Sequence, residues 1–192
     1  MLQQVQCHIR GLVPVIIHNG QAADPFNEFC VAIKNISGKR KKTDADHLEL
    51  ARLEFLASMY VDQDGEPCIP GENIEAMIIA AISKSKSANK KDASSALMSF
   101  GNFKLIYNGP KNPEELWENK KFVDRRAVVI QRARILRTRP IFTEWELKFS
   151  IDYEDSVLNR DTVISALGTA GRMIGLCDYR PKFGRFEVLS VV

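Results

Sequence analysis

Residues 144–153 alternate without a break. Trp145, Leu147, Phe149, Ile151 and Tyr153 fall on one side, and Glu144, Glu146, Lys148, Ser150 and Asp152 on the other. Successive side chains of a strand point to opposite faces, so this pattern specifies a strand that is dry on one face and wet on the other. A sheet built on it must cover its apolar side with amphipathic elements. The chain offers two. Behind Pro70-Gly71-Glu72, residues Ile74, Met77, Ile78, Ala81 and Ile82 recur at helical spacing. With Asp161 as cap, Val163, Leu167, Ala170 and Ile174 form a second such stripe.

Residues 4–10 also alternate, with Val5, Cys7 and Ile9 against Gln4, Gln6, His8 and Arg10. Residues 127–138 form a long β candidate rich in Val, Ile and Arg, closed by a turn at Thr138-Arg139-Pro140. A last strand runs over 185–191. In order the strong elements are strand 4–10, helix 72–83, strand 127–138, strand 143–153, helix 161–173 and strand 185–191. That order is βαββαβ, the ferredoxin-like arrangement of an α+β protein. The remainder, at about 11–71 and 84–126, reads as long insertions in one domain spanning 1–192. The insertions hold helical patterns over 24–36 and after Asp44 or Asp46, a turn at Asp62-Gln63-Asp64-Gly65, and a Ser- and Lys-rich loop at 83–96. A short strand with Phe103, Leu105 and Tyr107 precedes a short helix from Asn112-Pro113.

Length and composition permit such a core. The 192 residues are 45% hydrophobic and 27% charged, which excludes collagen-like and wholly disordered classes and needs no metal or disulfide for folding. Cys7, Cys30, Cys68 and Cys177 lie far apart without a Cys-x-x-Cys pair, and read as reduced thiols of a cytoplasmic protein. No apolar run is long enough to span a membrane, and no signal peptide is expected at the start of the chain. No Walker, Gly-x-Ser-x-Gly or His-Glu-x-x-His sequence occurs, so no cofactor and no metal is expected.

The net charge is only +3, but the basic residues are segregated. Lys39-Arg40-Lys41-Lys42 is continuous, and Lys84 and Lys86 stand in the Ser-rich stretch. Six arginines, among them Arg132, Arg134, Arg137 and Arg139, fall in the acid-free segment 125–139. Arg172, Arg180, Lys182 and Arg185 surround the last glycines, with Tyr179 and Phe183 between them. Clustered cations make a local positive surface on a nearly neutral chain, suited to phosphates. The glycines would let backbone amides approach a phosphate, and Tyr179 and Phe183 would stack on bases. For the arginine stretch the alternative is internal ion pairing, with Glu144 and Glu146 as partners. The outward positions of strands 4–10 and 143–153 contain no aromatic, so base stacking on an open sheet is not expected. Gripping of the backbone by loops and arginines fits better.

Two segments carry a family resemblance. Pro67-Cys68-Ile69-Pro70-Gly71 with its amphipathic helix, and the glycine-rich stretch 167–186, resemble the RAMP superfamily of CRISPR effector proteins, and most of all its guide-binding backbone subunit. In this sequence Glu72 and Glu75 follow the turn, where the family carries Ser and a basic residue. The resemblance implies a modified RRM fold. It also implies non-catalytic binding of single-stranded nucleic acid, RNA or otherwise ssDNA, with self-association along the strand. Other effector-complex subunits would be further partners, and a phage- or plasmid-encoded relative is an equal fit. Two alternatives follow. One is a metal-independent endoribonuclease of the same superfamily, for which His18 is the candidate proton-transfer group. The other is a phage decoy that caps a nucleoprotein complex.

Overall fold

The computed structural model describes residues 1–192, the side chain of Ile130 excepted. Its centre is an antiparallel sheet of β1 (Leu2–Gly11), β5 (Asn102–Ile106), β8 (Glu146–Glu154) and β9 (Phe186–Val191). The strand order β5-β8-β1-β9 is the ferredoxin order, extended by β3 (Cys68–Pro70) beyond β5, with β4 (Leu97–Met98) also paired to β8. The alternation of 4–10 and 144–153 sets the register: Val5 lies opposite Ile151, Cys7 opposite Phe149 and Ile9 opposite Leu147, all buried. Their dry face is covered by α3 (Gly71–Ser85) and α6 (Arg160–Thr169). These contribute Ile74, Met77, Ile78, Ala81 and Ile82, and Val163, Ala166 and Leu167, to one continuous core. Trp117 and Trp145 are buried in it as well.

The second core strand is β5, not 127–138. Those residues are split between β6 (Val123–Ile130) and β7 (Ala133–Phe142), a long hairpin that forms a second sheet with β2 (Val15–Ile16). Gln131 and Arg132 form its two-residue turn, both at positive φ (47° and 69°). That is the backbone of a type I′ turn, whose twist suits a tight hairpin. Thr138-Arg139-Pro140 consequently lies inside β7 rather than at a turn. The carbonyl of Pro140 accepts from Ile17 N at 3.1 Å.

Between β2 and β3 stands a helical pair, α1 (Glu28–Ser37) and α2 (Asp44–Ala57). Asn27 caps the first, and a Thr43–Asp46 capping box starts the second. The stretch 83–96 is not an open loop. It ends α3 and holds α4 (Lys90–Ala96), whose Ala93 and Ala96 are buried. The short α5 (Pro113–Glu118), capped by Asn112, follows β5. The last helix is capped by Asn159 rather than Asp161 and widens into a π-helical turn over Ala170–Ile174. Gly71 is needed where α3 begins, since a Cβ there would lie 1.7 Å from the carbonyl oxygen of Ser99. No helix is long and apolar enough to cross a membrane.

Candidate nucleic-acid interface

The β6–β7 hairpin separates its charges by face. Asp124, Arg126, Arg137 and Arg139 share one side, and the acids that answer the arginines come from three elements. Arg126 Nε lies 2.8 Å from both carboxylate oxygens of Asp124. Arg137 Nη1 donates to Glu54 of α2 at 2.7 Å, and a second oxygen of Glu54 accepts from Thr138 N at 3.0 Å. That contact covers part of the open edge of β7. Arg139 is buried, bonds Asp178 through Nη1, and lies 3.6 Å from Asp124. Arg126 and Arg137 are directly opposed in the ladder, and these carboxylates offset the repulsion of like charges at close range.

Two sequence-derived site residues are engaged by carboxylates of the protein itself. Arg139 does not reach the surface, and Arg137 is held by Glu54. The ion pairs expected with Glu144 and Glu146 do not form, because β8 belongs to the other sheet. Glu146 lies 2.7 Å from His8 instead. The true partners, Glu54 and Asp178, are 83 and 39 residues from the arginines they hold. No spacing rule connects them.

The other side of the hairpin and its tip behave differently. Arg125, Arg132 and Arg134 are exposed and have no carboxylate partner among the described residues. Val129 and Leu136 lie exposed beside them, at 69% and 54%. Arg125, one of the six arginines of the acid-free segment, was not assigned to binding from sequence, although its alternation with Asp124 and Arg126 is the signal that places it on the outer face.

The glycine-rich loop packs on the base of this hairpin. The Arg126 guanidinium lies 4.6 Å from the ring centre of Phe183 and 5.1 Å from that of Tyr179, and the two rings meet edge to face at 5.6 Å. Phe183 and Tyr179 thus carry an arginine rather than presenting two free stacking faces. The loop amides are also engaged. Leu176 N donates to the carbonyl of Gly184, Gly184 N to that of Pro14, Asp178 N to that of Ile16 and Phe183 N to that of Tyr179. The glycines serve close packing instead of phosphate contact. Gly184 sits at φ +73°, and a Cβ there would lie 2.0 Å from the carbonyl oxygen of Leu176. What the loop presents outward is cations: Arg172, Arg180, Lys182 and Arg185 are all exposed.

The basic run 39–42 joins α1 to α2 and is exposed apart from Lys42. Lys39 pairs with Asp46 at 2.5 Å, an interaction that draws the Asp46 carboxyl down to about 2, while Arg40, Lys41 and Lys42 have no such partner among the described residues. A groove of about 470 Å³ between the helical pair and the hairpin is lined by Ser37, Leu50, Glu54, Arg125, Ile135 and Leu136, and the run starts two residues after Ser37. Lys84 and Lys86 are exposed at the far end of α3.

His18 follows β2. Its Nδ1 lies 3.3 Å from Ser58 Oγ, and its carbonyl accepts from the Tyr60 hydroxyl at 3.3 Å. The ring keeps an exposed edge, yet burial lowers its pKa from the ordinary 6.5; Asp178 opposes that shift and Arg139 adds to it. The wet face of the central sheet is bound to itself by polar contacts: Gln4 to Asp152 at 2.7 Å, His8 to Glu146, and Arg10 to Glu187 at 2.7 Å.

No protein-family model and no curated protein matches the sequence. Among solved structures, a chain in the cryo-EM structure of the type III-B Cmr-beta bound to cognate target RNA superposes with a TM-score of 0.50 at 13% identity. That chain and this one share the fold, an α+β architecture with a ferredoxin-like core. The superposition takes in all of this chain and 60% of that neighbour. At such identity the likeness concerns the path of the backbone. The shared architecture agrees with the α+β, ferredoxin-like core expected from the sequence.

Proposed function

We propose that this protein binds single-stranded nucleic acid, RNA in the first instance, without cutting it, as a protomer that repeats along the strand. The observation that carries the reading is the partition of arginines on the hairpin. One set is neutralised internally and fixes the hairpin to the glycine-rich loop, while Arg125, Arg132 and Arg134 stand exposed without a carboxylate partner among the described residues, and the loop itself presents Arg180 and Lys182 to solvent. A chain that needed only a stable hairpin would gain nothing from an arginine in the left-handed turn position that glycine fills at least cost. The RNA named for the structural neighbour supports the choice of ligand, and the polar, aromatic-free wet face supports backbone gripping over base readout.

The mechanism is neutralisation of phosphates by exposed cations, with release of counterions. The basic run 39–42 adds to it across the groove. Mobile lysines and arginines give affinity without sequence choice, and contacts between neighbouring protomers add cooperativity.

The test uses the protein as purified. Its absorbance ratio at 260 and 280 nm and its mass by light scattering are measured before and after RNase and DNase. A large species rich in nucleic acid that collapses with RNase supports the reading. A nucleic-acid-free monomer of 21.7 kDa that ignores oligonucleotides at low salt contradicts it.

A further inference from the structure

Two cavities meet at His18. The larger, about 230 Å³, lies between the helical pair and β7, with apolar walls from Ala22, Cys30, Ile33 and Ala57. The smaller, about 110 Å³, is polar and is lined by Tyr60, Asn73, Asp178 and Arg180, with Cys177 at its side. His18 lines both. Together they reach the lower end of the range for small-molecule sites, about 300–1,000 Å³.

The chemistry of the two halves differs in a consistent way. Arg180, Asn73 and His18 offer hydrogen-bond donors around a space little larger than a phosphate. Asp178 would repel an anion, but its carboxylate is engaged by Arg139. The Arg139 side chain is only 5% exposed, and its Nε and Nη2 have no hydrogen-bond partner. Burial pushes the Cys177 thiol up to about 12 and raises the Tyr60 hydroxyl, so neither adds a negative charge at neutral pH. The larger chamber is mainly apolar, with Ser58, Thr138 and the Glu54–Arg137 ion pair on its polar side.

We propose that the joined cavities hold one nucleotide, its base in the larger chamber and its phosphate in the recess at Arg180, with His18 against the sugar between them. The choice of a nucleotide over other phosphorylated ligands rests on the strand-binding role. The same chemistry has two sources: a nucleotide splayed out of the bound strand, or a free mononucleotide.

The full chain is titrated calorimetrically with AMP, UMP, the two nucleosides and inorganic phosphate. At least one mononucleotide binds at least tenfold tighter than its nucleoside or phosphate. Arg180→Gln weakens that mononucleotide at least tenfold and leaves the nucleoside unchanged, whereas Ala22→Leu, which fills the chamber, weakens both. A strand carrying one 2-aminopurine then separates the sources. If the strand supplies the nucleotide, fluorescence rises on binding to the native protein and not to Ala22→Leu, while strand affinity stays within threefold. Mononucleotide binding with no fluorescence change assigns the site to a free nucleotide. Mononucleotides that bind no better than phosphate, with 2-aminopurine silent while the strand binds, overturn the site and leave strand binding intact. Mononucleotide binding without any strand binding does the reverse.

Discussion

Arginines that look alike in the sequence have opposite duties in the fold, and single substitutions separate them. Removing Arg139 leaves the partly buried Asp178 without its cation and the buried Asp124 with Arg126 alone. Arg139→Met should therefore lower stability by about 3 kcal/mol in urea denaturation, the scale of a broken buried ion pair. Arg180→Ala, at an exposed position, should change stability by less than about 0.5 kcal/mol and weaken strand binding instead. His18 gives a pH signature. Burial lowers its pKa in the folded state, so below the ordinary value of 6.5 the unfolded chain takes up protons more readily, and stability falls with falling pH. The urea midpoint of the native protein should drop between pH 7 and pH 5 by more than that of His18→Asn. Equal drops would remove the burial effect from the account.

At the scale of elements, the hairpin tip joins stability to function. Replacing Gln131-Arg132 by Asn-Gly, the preferred pair for two positive φ angles, should stabilise the protein by about 0.5–1 kcal/mol. It should also weaken strand binding through the lost cation. A gain in both would assign Arg132 to neither role. The same hairpin shows what periodicity conveys and what it does not. β1, α3, β8, α6 and β9 were legible because each buries one face of a regular pattern: Val5-Cys7-Ile9, Ile74 to Ile82 and Trp145 to Tyr153 needed no knowledge of partners. The second core strand was not. Residues 102–106 alternate over only five positions, and the longer, more β-rich 127–138 outweighed them. Pairing between β5 and β8 is a long-range fact with no local mark. The helix 90–96 was missed because Ser and Lys dominate it and only Ala93 and Ala96 face inward. The basic clusters were legible as composition, whereas their division into paired and free required Glu54 and Asp178, which no spacing ties to them.

At the scale of the molecule, a net charge of +3 gives little long-range attraction, so strand binding must come from the local field of the hairpin, the loop at 180–185 and the run at 39–42. That makes it strongly salt-dependent, since attraction between exposed charges is screened within about 10 Å at 0.1 M salt. The measurement that bears most directly on this is anisotropy of a labelled 30-nucleotide single-stranded RNA against salt concentration. It is made for the native protein and for Arg125→Ala, Arg134→Ala, Arg180→Ala and Lys182→Ala combined. Each phosphate contact on a single strand adds about 0.7 to the slope of log K against log salt. The combined variant should therefore keep its fold by circular dichroism and lose about 3 from that slope. An unchanged slope and affinity in a folded variant would contradict the account, because the strand would then be held by a surface other than the hairpin and its loop.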